Sequence, residues 1–208
     1  MKSLIQLLAV GLIASLAGCV SYTPSGPIGA PLAKAPSTLP MGAQVADVVV
    51  SVPKLNDTKR GVIGQQLTDQ ITQYVGMSDY FHQVVSFPAQ AAGDDVVLKF
   101  DFTHLYGHRG MHPAYLPGAL LTLTIWIWVD GPIYTDTLDL SGTLTIEDAH
   151  GKPLAKVQDS VDLKRNIGLY DREYWAPTLG RPQMRELVAK LLADGTAKLP
   201  KPEVAVHE

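Results

Sequence analysis

The spacing of hydrophobic and polar positions changes several times along the chain, and each change predicts an element. "VADVVVSVP", Val45 to Pro53, is a short apolar run suited to a buried strand. Asn56, Asp57 and Thr58 then offer capping side chains to a helix. On it Ile63, Leu67, Ile71, Tyr74 and Val75 share one face, with Gln65, Gln66, Asp69 and Gln73 elsewhere. "YFHQVVSF" (80–87) reads as a second strand. "DVVLKFDFTHL" (95–105) reads as a third, with Val96, Leu98, Phe100 and Phe102 alternating against Val97, Lys99, Asp101 and Thr103.

The most apolar stretch of this later region is "LPGALLTLTIWIWVDGP", Leu116 to Pro132. It is shorter than the roughly 20 apolar residues that a spanning helix needs. Leu121, Leu123, Ile125, Ile127 and Val129 alternate with Thr122, Thr124, Trp126 and Trp128, which predicts a strand with one aliphatic core face and one half-wet face carrying both tryptophans. The start of the stretch, Leu116 to Leu121 with Pro117 and Gly118, reads equally as a loop whose apolar tip dips into a bilayer.

After it, Leu138, Leu140, Leu144 and Ile146 stand against Thr137, Asp139, Ser141, Thr143, Thr145 and Glu147. The chain turns at 148–151 and returns through Val157, Val161 and Leu163, an antiparallel hairpin with one wet face. Last, Pro182 opens a helix striped by Met184, Leu187, Val188, Leu191 and Leu192, and Gly195 is expected to close it. Together these elements predict an α+β fold: a largely antiparallel, mixed sheet of five or six strands with two amphipathic helices packed on it.

The N-terminus is a different kind of segment. Lys2, an apolar run from Leu4 to Ala17 and a small-residue site form an export signal, residues 1–18, excluded from the fold. Leu16-Ala17-Gly18-Cys19 resembles the lipobox of bacterial lipoprotein signals, which implies cleavage before Cys19 and lipid, including palmitate, on that residue. An ordinary secretory signal with an incidental cysteine is the alternative, although Cys19 is the only cysteine of the chain. Val20 follows instead of the aspartate that commonly retains such proteins in the inner membrane, so the resemblance points to the outer membrane and its periplasmic face. Residues 19–44, with Pro24, Pro27, Pro31, Pro36 and Pro40 and little charge, read as a tether. A single domain is expected over 45–198, with a flexible tail over 199–208.

Charge excludes one class. The chain has 17 basic residues, one of them Lys2 in the leader, against 20 acidic ones, so it offers no basic field for nucleic acid.

The strand ending in Pro53-Lys54-Leu55-Asn56-Asp57, the Gln-rich helix, "DVVLKFDF" and the hairpin "LTIEDAHGKPLAKVQ" are similar to envelope lipoproteins allied to the curli secretion subunit and the N-terminal domain of TolB. The resemblance covers roughly Val45 to Lys164. One departure is visible: "PAQAAGDD" leaves no room for the second helix that the group usually has before its third strand. The resemblance implies an envelope adaptor or ring-forming subunit without catalytic machinery.

Two constellations compete as sites. His104, His108 and His112 recur every fourth residue near Asp101 and would make a metal site on a helix, but Gly107, Gly110 and Pro113 break that helix and favour a solvated loop. Ser86, Ser141 and Ser160 supply hydroxyls for a triad, yet none lies in a Gly-x-Ser-x-Gly turn. No phosphate loop, Cys-x-x-Cys or dinucleotide fingerprint occurs, and no cofactor is expected. The second constellation is aromatic. Trp126, Trp128, Tyr134, Tyr170, Tyr174 and Trp175 either cover the protein's own sheet or form a surface for a protein partner or lipid headgroups. The reading is a lipid-anchored, non-catalytic accessory subunit of the cell envelope. It is joined to the membrane through its N-terminal lipid and binds an unidentified envelope protein or further copies of itself; a metal-dependent enzyme using the three histidines is the alternative.

Overall fold

The computed structural model describes residues 20–24, 27–86, 88–175 and 180–199. The segment expected as an export signal, Cys19 and the segment after Leu199 expected as a tail lie outside the described residues. The fold is α+β, with a mixed seven-stranded sheet in the order β4-β2-β5-β6-β7 and with β1 and β3 also paired to β5. The strands are β1 (Val20–Tyr22), β2 (Leu39–Val45), β3 (Val49–Val50), β4 (Phe81–Val84), β5 (Val96–Met111), β6 (Tyr134–Asp148) and β7 (Pro153–Ile167). The helices are α1 (Asp57–Ser78), α2 (Tyr115–Leu121), α3 (Ile125–Trp128) and α4 (Arg181–Ala197). The described residues group into two compact units. The first comprises 20–24, 106–139, 162–175 and 180; the second comprises 27–86, 88–105, 140–161 and 181–199.

In the second unit the periodicity does what it predicts. Asn56 caps α1 by accepting from the Lys59 N–H at 2.9 Å, and Leu67, Ile71, Tyr74 and Val75 are buried. So are Met184, Leu187, Val188, Leu191 and Leu192 of α4, and Leu140, Leu144 and Ile146 of β6. α4 runs through Gly195 instead of ending there, and the glycine's small size brings the helix against Leu144 and Ile146. The hairpin turn is organised by Asp148, whose carboxylate accepts from the His150 and Lys152 N–H groups, both at 2.9 Å. Those backbone bonds hold its carboxyl below the ordinary range.

The stretch 19–44, expected as a tether, enters strand pairing at both of its described ends. Val20–Tyr22 pairs antiparallel with Gly107–Arg109, while Ala43–Val45 pairs parallel with Val96–Leu98. Between them Ile28 is buried, its N–H donating to Gln70 Oε1 at 3.0 Å. Pro40 is accommodated where the ladder can spare a donor: the β2–β4 register shifts between Leu39 and Gly42, the stretch that contains it.

β5 is longer than the third strand that the sequence predicts, and its inward parity changes. Val96, Leu98, Phe100 and Phe102 are buried, then Leu105, Gly107 and Arg109. The change falls at Thr103 and His104, both of which reach Ser141 of β6, at 3.0 and 3.2 Å. Two residues opposite one is the count of a β-bulge.

Candidate functional site

The first unit is organised around a charged pair. Arg109 on β5 and Asp136 on β6 form a two-pronged ion pair, Nε to Oδ1 and Nη2 to Oδ2, both 2.6 Å. The Asp136 side chain is 1% exposed. A buried carboxylate is tolerable only when its charge and lone pairs are answered, and the planar guanidinium does both at once. The remaining guanidinium protons reach the Tyr174 carbonyl at 3.2 Å and the Glu173 carbonyl at 2.9 Å, and the cation lies 5.5 Å from the Tyr134 ring centroid. The hydrogen bond to Asp136 raises the pKa of Arg109 further.

β1 is fastened to the same pair. Val20 is registered opposite Arg109 and Tyr22 opposite Gly107. The Tyr22 ring lies on that glycine, where a Cβ would collide with it. Its hydroxyl ends buried without a hydrogen-bond partner among the described residues. Burial, and then the charge of Asp136, push its pKa up to about 12 against the opposing influence of Arg109.

The aromatic constellation divides. Tyr134 and Tyr174 meet at 5.7 Å, and Tyr174 meets Trp175 edge-on at 4.9 Å, so these three form one cluster on the ion pair. Tyr170 is exposed, and Trp175 is 83% exposed. Trp126 and Trp128, expected on one strand face, point to different surroundings. The Trp126 indole sits against Gly118 and Gly131, where side chains would overlap it, and its Nε1–H donates to the Pro132 carbonyl at 3.3 Å. Trp128 is 70% exposed.

The strand expected over Leu121–Val129 is corrected: this stretch and the residues just before it form the helices α2 and α3. The reason is the ladder. The His112 N–H donates to the Ile133 carbonyl at 2.8 Å, so β5 and β6 pair directly and residues 113–132 are left without a strand neighbour. Backbone groups that lack one must be satisfied locally, and helical turns do so. Examples are Thr124 N–H to the Ala119 carbonyl and Gly131 N–H to the Trp126 carbonyl, both 2.8 Å. The face expected as core is therefore outside. Leu121 and Leu123 are each 85% exposed, and Leu116, Leu120, Ile125 and Val129 are exposed as well. Fully burying such a side chain is worth roughly 1.5–3 kcal/mol, so the helical hairpin formed by α2 and α3 presents a large unsatisfied hydrophobic surface.

The histidines are not brought together. His104 Nδ1 pairs with the Ser141 hydroxyl at 3.2 Å, and His108 Nδ1 pairs with the Ser21 hydroxyl at 3.4 Å and stacks on Tyr106. His112 Nδ1 accepts from the Ala114 N–H at 3.2 Å. Helical spacing has no such meaning on an extended strand with a bulge. Among the described residues no group of three or more His, Cys, Asp or Glu is placed to hold a metal. Asp101 Oδ1, the nearby carboxylate of the three-histidine reading, is buried without a hydrogen-bond partner among the described residues. The solvated-loop reading of this segment is corrected too: Thr103 to Met111 continue β5.

Arg109 and Asp136 were not singled out from sequence. Asp136 carried a usable signal, because it shares parity with Leu138, Leu140, Leu144 and Ile146 and so points inward. Arg109 carried none, since the bulge reverses the parity of its strand.

No family model and no curated protein matches the chain. Solved structures that it resembles include a minor lipoprotein from Acinetobacter baumannii, 16% identical with a TM-score of 0.38, covering 77% of this chain and 96% of that one. Uncharacterized lipoprotein B from Nitrosomonas europaea is 12% identical with a TM-score of 0.33, covering 78% and 81%. The PelC dodecamer from Paraburkholderia phytofirmans is 14% identical with a TM-score of 0.29, covering 88% and 99%. Bacterial lipoproteins thus recur among these structures, and the functional reading rests on the chain's own residues.

Proposed function

We propose that the chain is an outer-membrane lipoprotein, anchored through lipid on Cys19, facing the periplasm and acting as a non-catalytic accessory or assembly subunit of an envelope complex. One observation supports it above the others. The lipobox Leu16-Ala17-Gly18-Cys19 is followed at once by β1, which is paired to β5 beside the Arg109–Asp136 ion pair. An acyl anchor there holds a folded unit close to the bilayer instead of at the end of a tether. The exposed rings of Tyr170 and Trp175 are the surface offered to another envelope protein or to a second copy, and the narrower kinship with the curli secretion subunit and TolB belongs to the same proposal. Labelled palmitate should enter the wild-type chain and not Cys19→Ser, and a wild-type chain that takes up no label defeats the anchor. Photo-crosslinking from position 175 in intact envelopes should give a discrete protein adduct, and its absence defeats the accessory role.

A further inference from the structure

The hairpin of α2 and α3 is built inside out. Leu116, Leu120, Leu121, Leu123, Ile125 and Trp128 are exposed, while the small and polar positions Gly118 and Thr122 are half-buried. Thr122 satisfies its own backbone surroundings, donating to the Gly118 carbonyl at 2.8 Å and accepting from the Trp126 N–H at 2.9 Å. No Lys, Arg, Asp or Glu lies between Arg109 and Asp130. A surface without charge, over a backbone that satisfies itself internally, is what hydrocarbon requires and water penalises.

We propose that this hairpin inserts into the acyl region of the same leaflet that holds the lipid of Cys19, as a second membrane attachment whose partner is phospholipid. The proposal rests on the lipoprotein reading above. Val20, the residue after the lipid-bearing cysteine, is registered opposite Arg109, and α2 begins at Tyr115. Six residues of chain span at most about 20 Å, so anchor and hairpin reach one membrane surface. A helix as short as α2 is about 10 Å long, which suits residence at the boundary of headgroups and acyl chains, about 5–10 Å deep, and not a crossing. A protein partner or a second copy would ordinarily be met with a rim of polar and charged groups, and the hairpin carries no charge of its own.

The test uses vesicles of phosphatidylethanolamine and phosphatidylglycerol containing acyl-brominated lipid. Two proteins are compared: the processed lipidated chain, and the mature chain bearing Cys19→Ser made behind an ordinary cleavable signal. In both, the emission of Trp128 should be quenched by the acyl bromines, and Trp128→Phe should remove most of the quenched component. Leu121→Asp with Ile125→Asp should lower vesicle partition of the unlipidated chain at least tenfold while its thermal melting stays unchanged. Should that double variant fail to fold, the Trp128→Phe comparison still decides. An unlipidated chain that ignores vesicles, with Trp128 open to iodide, overturns the proposal. So does self-association that shields Trp128 without lipid, or shielding seen only when an envelope protein is crosslinked to the hairpin. Vesicle binding by the unlipidated chain, together with wild-type protein that takes up no palmitate, supports the hairpin and defeats the anchor reading, so the two fail separately.

Discussion

The two units treat apolar residues in opposite ways. In the second, Leu67, Ile71, Leu98, Leu140, Leu144, Leu191 and Leu192 are fully withdrawn from solvent, and the periodicity of each element agrees with the side it buries. In the first, the aliphatic side chains counted as buried among the described residues are Ile133, Leu138 and Ile167. Its richest apolar segment lies outside, and its interior holds the Arg109–Asp136 pair. Hydrophobicity therefore reports burial only where a neighbouring element exists to receive it. Where none does, the same residues mark a surface that needs another medium.

That contrast can be broken most forcefully at the ion pair. Arg109→Met should destabilise the protein by about 3–5 kcal/mol, because it leaves Asp136 buried and uncompensated. Chemical denaturation measures this, and amide exchange should show early loss of protection in Val20–Tyr22. The double variant Arg109→Met with Asp136→Leu should recover most of the loss. If Arg109→Met is silent, the pair does not organise the first unit.

In the second unit the corresponding change is aliphatic. Leu191→Ala should cost about 2–5 kcal/mol by lost burial and the cavity left behind, read as a lower denaturation midpoint at unchanged slope. A loss below about 1 kcal/mol would mean that α4 is not seated as described.

A pH titration sharpens the difference without altering the packing. The Tyr22 pKa is raised to about 12 from an ordinary 10.0, so the folded state keeps this proton to a higher pH than the unfolded chain. Its contribution is complete below pH 10 and is lost as pH rises through about 12. Tyr22→Phe should make the alkaline decline shallower. It should not abolish it, since burial raises Tyr74, Tyr80 and Tyr174 as well. An unchanged alkaline limb would place the Tyr22 hydroxyl in solvent.

The smallest effect should come from the most hydrophobic-looking place. Leu121→Ala in the lipid-free protein should change stability by no more than about 0.5 kcal/mol, the usual range for a surface position. A loss comparable to that of Leu191→Ala would put the hairpin in a core and erase the distinction between the units.

The sequence by itself determined the faces of α1 and α4 and the alternation of β6. Each is a local pattern whose period, cap or spacing can be satisfied by only one arrangement of nearby residues. The tertiary structure decided what depends on distant partners. The alternation of Leu121, Leu123, Ile125 and Ile127 favours a strand, but β5 and β6 close their ladder beneath it and leave it no neighbour, so it turns helical. The stretch 19–44 reads as a tether, and only β5 decides that its ends, Val20–Tyr22 and Ala43–Val45, are paired. Arg109 comes to face Asp136 only because the bulge at Thr103 and His104 reverses the parity of its strand. Strand pairing is a contract between residues far apart in the chain, and one strand's pattern does not reveal whether another will meet it.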